Sequence, residues 1–213
     1  MRAAGICGQR QRRRRPWLTV QDPAAPRPAD LVERRFQATR PNGLWVCDLT
    51  YLKTHEGFVY LAFVKDVFSR KIVGWQLADH LRTDLVLDAL EMAVKLRNPA
   101  ADALIHHSDR GTQYTSFRYT QRLSELGIAA SVGSVADAYD NAMAESFVSS
   151  LKRELVKGHT FASRFDAELA VVQYLGWFNR TRLHSELDYL PPVEFENRHL
   201  HNQEEKVDYC LAC

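Results

Sequence analysis

The pattern of hydrophobic and polar residues predicts folded structure from about residue 40 onward. The segment LWVCDLTYL at 44–52 alternates between two faces, as a β-strand does, and apolar runs at 58–64 and 71–77 predict two more strands joined as an antiparallel pair. From Thr83 the apolar residues recur at helical spacing until Asn98-Pro99 ends the helix. The first half of the core is therefore expected to hold three strands and then a helix.

The second half of the core alternates between the two types of element. A short strand at 103–106 leads to a helix at about 116–126 and a strand at 128–132. Two longer helices follow at about 140–156 and 163–179. This order predicts an α/β fold in which helices flank a mixed sheet.

Residues 1–39 follow neither period and are predicted to form a basic, Pro-rich arm and linker. Residues 1–15 hold six arginines and no acid, which leaves 22 basic against 26 acidic residues in the rest of the chain. A basic arm on a mildly acidic body suggests a polyanionic partner, although arginine runs also serve as localisation signals or solvated tails. The core is expected to span 40–198, with an irregular C-terminal tail at 199–213.

The composition excludes several classes of protein. With 46% hydrophobic residues and four cysteines among 213, the chain is too apolar for a wholly disordered protein and too poor in cysteine for a disulfide scaffold. No apolar run approaches the roughly 20 residues that a membrane span needs. No hydrophobic segment follows the N-terminal charge, as a secretory signal would require. We therefore expect a protein of a reducing compartment, cytosolic or nuclear, with its cysteines as thiols and no membrane partner.

Three carboxylates stand out because of their surroundings. Asp48 lies in the middle of a strand that is apolar on both faces, where an unpaired charge is costly. Asp109 follows an apolar strand, at the position where α/β sheets usually bind ligands. Glu145 shares a helical stripe with Asn141, Ser149 and Lys152, which places Lys152 where it could contact an anion near the acid.

Three carboxylates that converge from separate elements can hold two divalent cations, and an all-oxygen ligand set favours Mg²⁺. Such a pair activates a water or a 3′-hydroxyl and stabilises the leaving oxygen of a phosphoryl transfer. The alternative is that these acids are unrelated, because a chain with 26 acidic residues contains many such triples.

Five motifs, in order along the chain, resemble those of the insertion sequence 3 family of transposases, specifically the catalytic part of the second reading frame product, within the retroviral-integrase-like superfamily. They are Leu44–Tyr51 (LWVCDLTY), Asp66–Trp75 (DVFSRKIVGW), His106–Tyr114 (HHSDRGTQY), Tyr139–Glu154 (YDNAMAESFVSSLKRE) and Phe178–Phe195 (FNRTRLHSELDYLPPVEF).

The resemblance implies that Asp48, Asp109 and Glu145 are the three catalytic acids of a D-D-E triad and its metal ligands. The last two are separated by 35 residues, the interval that this superfamily's signature expects. It also implies a ribonuclease H-like fold with a five-stranded sheet, two Mg²⁺ or Mn²⁺ ions, and DNA cleavage and strand transfer at insertion-sequence ends. In that fold the strand of Asp48 and the strand before Asp109 are expected to be neighbours at the centre of the sheet. We interpret Asp48 as the ligand that the two ions share. Oligomers assembled on DNA, in the nucleoid of a bacterial cytoplasm, are expected from the same resemblance.

Further candidates for DNA contact carry positive charge or border the motifs. They are Lys152, Arg12, Arg13, Arg14, Arg15, Arg110, Asn141 and Arg180. A polar cluster after the last long helix, Asn179 to His184, could contact phosphate or could be a solvated helix end. His199, His201, Cys210 and Cys213 have the donor atoms of a zinc site at irregular spacing.

The chain departs from the family at its N-terminus. Relatives carry a helix-turn-helix region that recognises the ends of the element, and this chain has only a short arm there, so it resembles a truncated copy whose activity could be impaired. Two alternatives to a transposase follow. One is a non-catalytic DNA-binding or oligomerising remnant, and the other is a general nuclease of the same fold.

Overall fold

The computed structural model describes residues 28–33, 35–109, 111–133 and 141–211, with side chains as far as residue 203. Its strands are β1 (Leu44–Thr54), β2 (Gly57–Asp66), β3 (Ile72–Ala78), β4 (Ile105–Ser108) and β5 (Ala129–Val132). Its α-helices are α1 (Thr83–Arg97), α2 (Phe117–Glu125), α3 (Ala142–Leu151), α4 (Arg164–Arg180) and α5 (Pro192–Leu211). A π-helical turn, Lys152–Val156, extends α3, and a 3₁₀ turn, Ser185–Leu187, precedes α5.

The five strands form one mixed sheet in the order β3-β2-β1-β4-β5. The antiparallel neighbours are β1 with β2 and β2 with β3, whereas β4 is parallel to both β1 and β5. The parallel pairings are possible because α1 and α2 provide the crossover connections that parallel strands need. The predicted five-stranded α/β fold is confirmed, with each predicted strand and helix present.

Each face of the sheet is covered by a separate hydrophobic core. Val46, Leu52 and Phe63 point to the face that packs on α3 and α4, where Phe63 lies 4.5 Å from the ring of Phe147. Trp45, together with its neighbours on that side of the strand, points to the face that packs on α1 and α2. Because β1 is packed on both sides, the backbone that carries Asp48 is held in a fixed position.

Helix α1 approaches β3 closely at Gly74. A Cβ atom on Gly74 would lie 2.2 Å from the carbonyl oxygen of Ala89 and 2.7 Å from the Cβ of Ala93. Because these are backbone and short side-chain atoms, they cannot rotate away. We expect Gly74→Ala to lower the free energy of unfolding by about 1–3 kcal/mol, measured by urea denaturation.

A matched control for Gly74 is available in α4. A Cβ on Gly176 meets no atom within 4 Å, and the residue lies inside a helix. Gly176→Ala should therefore leave stability unchanged or raise it by up to about 1 kcal/mol. Equal effects of the two substitutions would show that the α1–β3 contact is not close.

Both ends of the core differ from the sequence prediction. Before β1, the side chain of Val32 is buried and the N–H of Leu31 donates to Ser131 Oγ at 2.9 Å, so the packed region begins within the predicted linker. After residue 198, the tail predicted as irregular continues α5 to Leu211. No helix in the described part of the chain is long and apolar enough to cross a membrane.

Candidate active site

Parallel pairing of β1 with β4 brings Asp48 and Asp109 to the same level along two neighbouring strands. Trp45 pairs with His106 and Val46 with His107, and each acid lies two residues beyond the second pair. Side chains at equivalent positions of neighbouring parallel strands lie next to each other because the strands are about 4.8 Å apart. The predicted adjacency of these two strands at the centre of the sheet is confirmed.

Both carboxylates are oriented by backbone donors. Asp48 Oδ1 accepts the N–H of Leu49 at 2.7 Å, and Asp109 Oδ1 accepts the N–H of Gly111 at 2.9 Å. A Cβ on Gly111 would lie 2.9 Å from the same Asp109 oxygen, so a larger residue would displace the carboxylate. Glycine at this position therefore leaves Asp109 room beside the turn.

The start of α3 is fixed to the sheet next to these acids. Asn141 Nδ2 donates to the carbonyl oxygen of Cys47 at 3.0 Å, and Lys65 Nζ donates to the carbonyl oxygen of Met143 at 3.3 Å. Within α3, Ala144 is fully buried in the hydrophobic core. These contacts tie the first turn of α3 to β1 and β2, and Glu145 lies in that turn.

The electrostatics of Asp48 report the proximity of the other acids. The pKa of Asp48 is raised to about 7, first by burial and then by the negative charges of Asp109 and Glu145, against the N–H of Leu49 and the ammonium of Lys152. A group that is buried near like charges binds its proton more strongly. Asp109, Glu145 and Lys152 are therefore each within electrostatic reach of Asp48.

Lys152 directly follows α3 and is the first residue of the π-helical turn. Its ammonium lies 4.6 Å from the centre of the Tyr51 ring, a cation–π contact at the edge of the site. The aromatic face holds the side chain on the β1 side of the helix, near Asp48.

The donor set suits a hard divalent cation, since all three groups are carboxylates. Within the described residues, however, no three His, Cys, Asp or Glu side chains come together closely enough to hold a metal ion. Mutual repulsion opposes closure of three like charges. The predicted two-metal site therefore stays a prediction.

The floor beneath the two aspartates is buried and uncharged. Burial lowers the pKa of His106 to about 3, and its Nε2 lies 3.1 Å from the hydroxyl of Tyr119. Burial, with the negative charges of Asp109 and Asp48, raises the pKa of the Cys47 thiol well above its usual value. These groups pack the site without adding a positive charge to balance the acids.

The remaining predicted site residues lie elsewhere or outside the described part. Arg180 is exposed at the end of α4 and lines a groove with Trp75 and Met92. His199 packs against the ring of Phe68 at 4.6 Å. Arg12 to Arg15, Arg110, Cys213 and the side chain of Cys210 lie outside the described residues. The zinc prediction and these DNA contacts therefore stay untested.

Sequence reasoning missed a basic pocket on the other side of α3. It has a volume of about 240 Å³. We call it the basic pocket; its lining residues are Lys65, Arg70, Ser146, Phe147, Ser150, Arg153, Phe178, Arg182, His184, Ser185 and Glu186. The signal available in the sequence was Lys65, a lysine that directly follows the apolar run FVYLAFV.

Comparison with known proteins places this architecture in a family. Residues 38–138 and residues 145–200 match two family models, each described as an integrase core domain. The chain is 49% identical over 183 residues to the transposase of insertion sequence element IS986/IS6110 of Mycobacterium tuberculosis, covering 84% of this chain and 66% of that protein. It is 47% identical to the IS629 transposase of Shigella sonnei, covering 78% of this chain and 56% of that protein. It is 40% identical to the IS3A transposase InsF of Escherichia coli, covering 80% of this chain and 59% of that protein.

Solved structures show the same fold. The trimeric form of the HTLV-2 integrase catalytic core, in complex with magnesium, matches with a TM-score of 0.60 at 16% identity, covering 75% of this chain and 99% of that chain. The catalytic core of BIV integrase matches with a TM-score of 0.56 at 19% identity, covering 76% of this chain and 99% of that chain. The sheet and its helices thus have the ribonuclease H-like arrangement of integrase cores.

Proposed function

We propose, from the fact that this chain belongs to the insertion sequence 3 family of transposases, that it carries the centre that cleaves DNA at insertion-sequence ends and joins it to target DNA. Its matches span 66% or less of the length of the relatives reported above, so the activity of a whole transposase is itself part of the proposal. Membership of the family supports a role in transposition through an integrase core. The roles of single residues are part of the proposal.

The observation that carries the proposal is the arrangement around Asp48. Parallel pairing of β1 and β4 sets Asp109 beside it, and two hydrogen bonds between side chains and backbone hold the first turn of α3, with Glu145, against β1 and β2. The raised pKa of Asp48 reflects burial first and then the charges of the other two acids. Acids of separate elements that interact in this way are typical of functional sites.

Asp48, Asp109 and Glu145 would hold the divalent cations, Mg²⁺ or Mn²⁺. When bound, such ions supply Lewis acidity and lower the pKa of an attacking water or 3′-hydroxyl. Lys152 would contact a DNA phosphate, with Tyr51 holding its side chain in place. Asn141 would act by fixing the start of α3 through Cys47, because its amide nitrogen is already bonded there. Arg12 to Arg15, Arg110 and Arg180 would add phosphate contacts, and copies of the chain would assemble on DNA.

The test is a strand-joining assay with purified chain and a labelled duplex that carries an insertion-sequence end. We expect nicked and joined products in Mg²⁺ or Mn²⁺ and none in EDTA, because the carboxylates alone cannot neutralise the charge that develops on phosphate. A duplex of unrelated sequence separates a transposase from a general nuclease, which would cut both alike.

The result that would overturn the proposal is DNA binding by the folded chain without any product in either metal. If co-expression with an intact transposase of the family then reduced transposition, the chain would have the alternative function of a non-catalytic, oligomerising remnant. Unchanged transposition in that experiment would contradict the remnant as well.

A further inference from the structure

The basic pocket holds more positive charge than its own acids balance. Arg182 is paired, since its Nε and Nη2 donate to Glu154 at 2.8–3.1 Å. Lys65, Arg70 and Arg153 also line the pocket, and Glu186 is the carboxylate on its wall. A concave surface with excess positive charge attracts anions.

Lys65 is the most unusual member of the pocket. Its residue is 4% exposed, and its ammonium makes one hydrogen bond within the described part of the chain, to the carbonyl oxygen of Met143. An ammonium has three donors, and burying a charge is costly unless it is paired. Its pKa is lowered to about 7, first by burial and then by the nearby charges of Arg70 and Arg182. An anion in the pocket would supply the missing negative charge.

Arg70 occupies a backbone conformation that favours glycine or asparagine. Its φ is +62°, in the left-handed region, at the turn between β2 and β3. Strained backbone of this kind is concentrated at functional sites. Its guanidinium contacts the sulfur of Met143 and lines the pocket, so an arginine side chain is placed here at a cost in backbone energy.

His184 presents a buried donor to the pocket. Its pKa is lowered to about 4, first by burial and then by the neighbouring Arg182, against the backbone of Phe178, so the ring is neutral near pH 7. Its Nδ1 lies 3.3 Å from the guanidinium of Arg182, which only donates, so Nδ1 is the acceptor and Nε2 carries the proton. Nε2 is buried and has no acceptor at hydrogen-bond distance and angle within the described residues. An anion in the pocket would supply that acceptor.

The pocket also carries hydroxyl groups beside the candidate catalytic helix. Ser146 directly follows Glu145, Ser150 lies one turn later on α3, and Arg153 follows in the π-helical turn. Hydroxyls, imidazole N–H groups and cations are the donors that recognise phosphate oxygens. A volume of about 240 Å³ is enough for a phosphate group.

We infer that the basic pocket binds a phosphodiester group of DNA, held by Lys65, Arg70 and Arg153 and by the donor on His184. The inference rests on the proposed function, which supplies the DNA strand. A strand that reaches Glu145 passes beside Ser146 and the pocket. The pocket would thus hold the strand on the side of α3 opposite to Lys152.

The test uses a double variant, Arg70→Asn with Arg153→Gln, because asparagine tolerates the left-handed conformation and Arg153 is exposed. The control, Lys95→Gln with Arg118→Gln, removes the same charge from α1 and α2 on the other face of the sheet. Binding of a fluorescent duplex is measured by anisotropy in EDTA over a series of salt concentrations. Thermal melting checks that both variants are folded.

We expect the pocket variant to bind DNA about 10–100-fold more weakly and to lose about one to two units of the salt slope. The control should change affinity less than threefold. Equal affinities of the two variants would overturn the inference, as would stabilisation of the wild type by inorganic phosphate with unchanged DNA affinity in the pocket variant. Binding measured in EDTA does not depend on strand joining. A chain that binds DNA through the pocket in EDTA yet joins no strands in Mg²⁺ or Mn²⁺ would therefore contradict the proposed function alone.

Discussion

Asp48→Asn is expected to reduce strand joining by about 10³-fold or more, because loss of a carboxylate that is proposed to hold the cations would remove several kcal/mol of transition-state stabilisation. Asn keeps the size of the side chain and an oxygen that can accept the N–H of Leu49. Any loss of activity therefore reports the missing charge and not a collapsed strand. The measurement is the initial rate of product formation with the labelled duplex in Mg²⁺ and in Mn²⁺.

The same substitution is expected to stabilise the fold. In the wild type, Asp48 is half-buried and lies near the charges of Asp109 and Glu145, and burial together with these charges raises its pKa to about 7. Removing the charge of Asp48 relieves desolvation and repulsion, so we expect the free energy of unfolding in EDTA to rise by about 1–2 kcal/mol. Urea denaturation at pH 7.5, where the carboxyl is mostly ionised, measures it.

Asp88→Asn is the matched control, because Asp88 is exposed on α1, away from the site. We expect it to change neither the rate nor the stability by a measurable amount. An Asp48→Asn variant that was as active as the wild type would refute the catalytic assignment. A variant that lost both activity and stability would instead identify Asp48 as a structural residue.

The features that the sequence could predict are those that depend on local pattern. The strands and helices follow from hydrophobic period, and β1 and β4 were expected to be neighbours because the five motifs imply the integrase fold. Asp48 was conspicuous because an acid is rare within an apolar strand. Asp48, the first of the three candidate acids, was thus visible as a local exception to good packing.

Other features depend on contacts between distant segments, which no local pattern encodes. The pocket joins β2, the turn after it, α3 and the segment after α4, so its basic residues are scattered between positions 65 and 184. The π-helical turn at Lys152–Val156 was not predicted, because its apolar spacing resembles that of a slightly longer α-helix. Helix α5 was missed because its polar sequence resembles a solvated tail, while Glu196 within it is buried.

Glu196 belongs to a buried ionic cluster that holds the edge of the sheet to the helices. It pairs with Lys71 at 3.3 Å and with Arg97. At the centre of the cluster, Asp66 is fully buried, and its Oδ2 lies 3.8 Å from Arg97. The cluster connects β2, β3, α1 and α5, so its loss should affect the whole fold.

Asp66→Ala is expected to lower the free energy of unfolding by about 3–5 kcal/mol, the usual cost of breaking a buried charged network. The carboxylate accepts the N–H of Asn42 at 2.7 Å, the N–H of Ser69 at 3.1 Å and the indole N–H of Trp45 at 3.3 Å. Alanine leaves these donors without an acceptor and Arg97 without this partner. Asp79→Ala, at an exposed acid that lies 3.9 Å from Arg164, should cost less than about 0.5 kcal/mol.

The pH dependence of the Asp66→Ala effect has a defined sign. Burial raises the pKa of Asp66, with Glu196 raising it further, although donors from Asn42 and Ser69 and the charge of Arg97 oppose the shift. Between the unfolded pKa near 4 and the raised folded value, the folded state binds more protons, so the contribution of Asp66 to stability falls as pH rises. The destabilisation by Asp66→Ala should therefore be larger at pH 4.5 than at pH 7.5 in urea denaturation. A destabilisation that grew with pH would mean that the ion pair with Arg97 outweighs burial, and would reverse the assignment of the dominant force at this cluster.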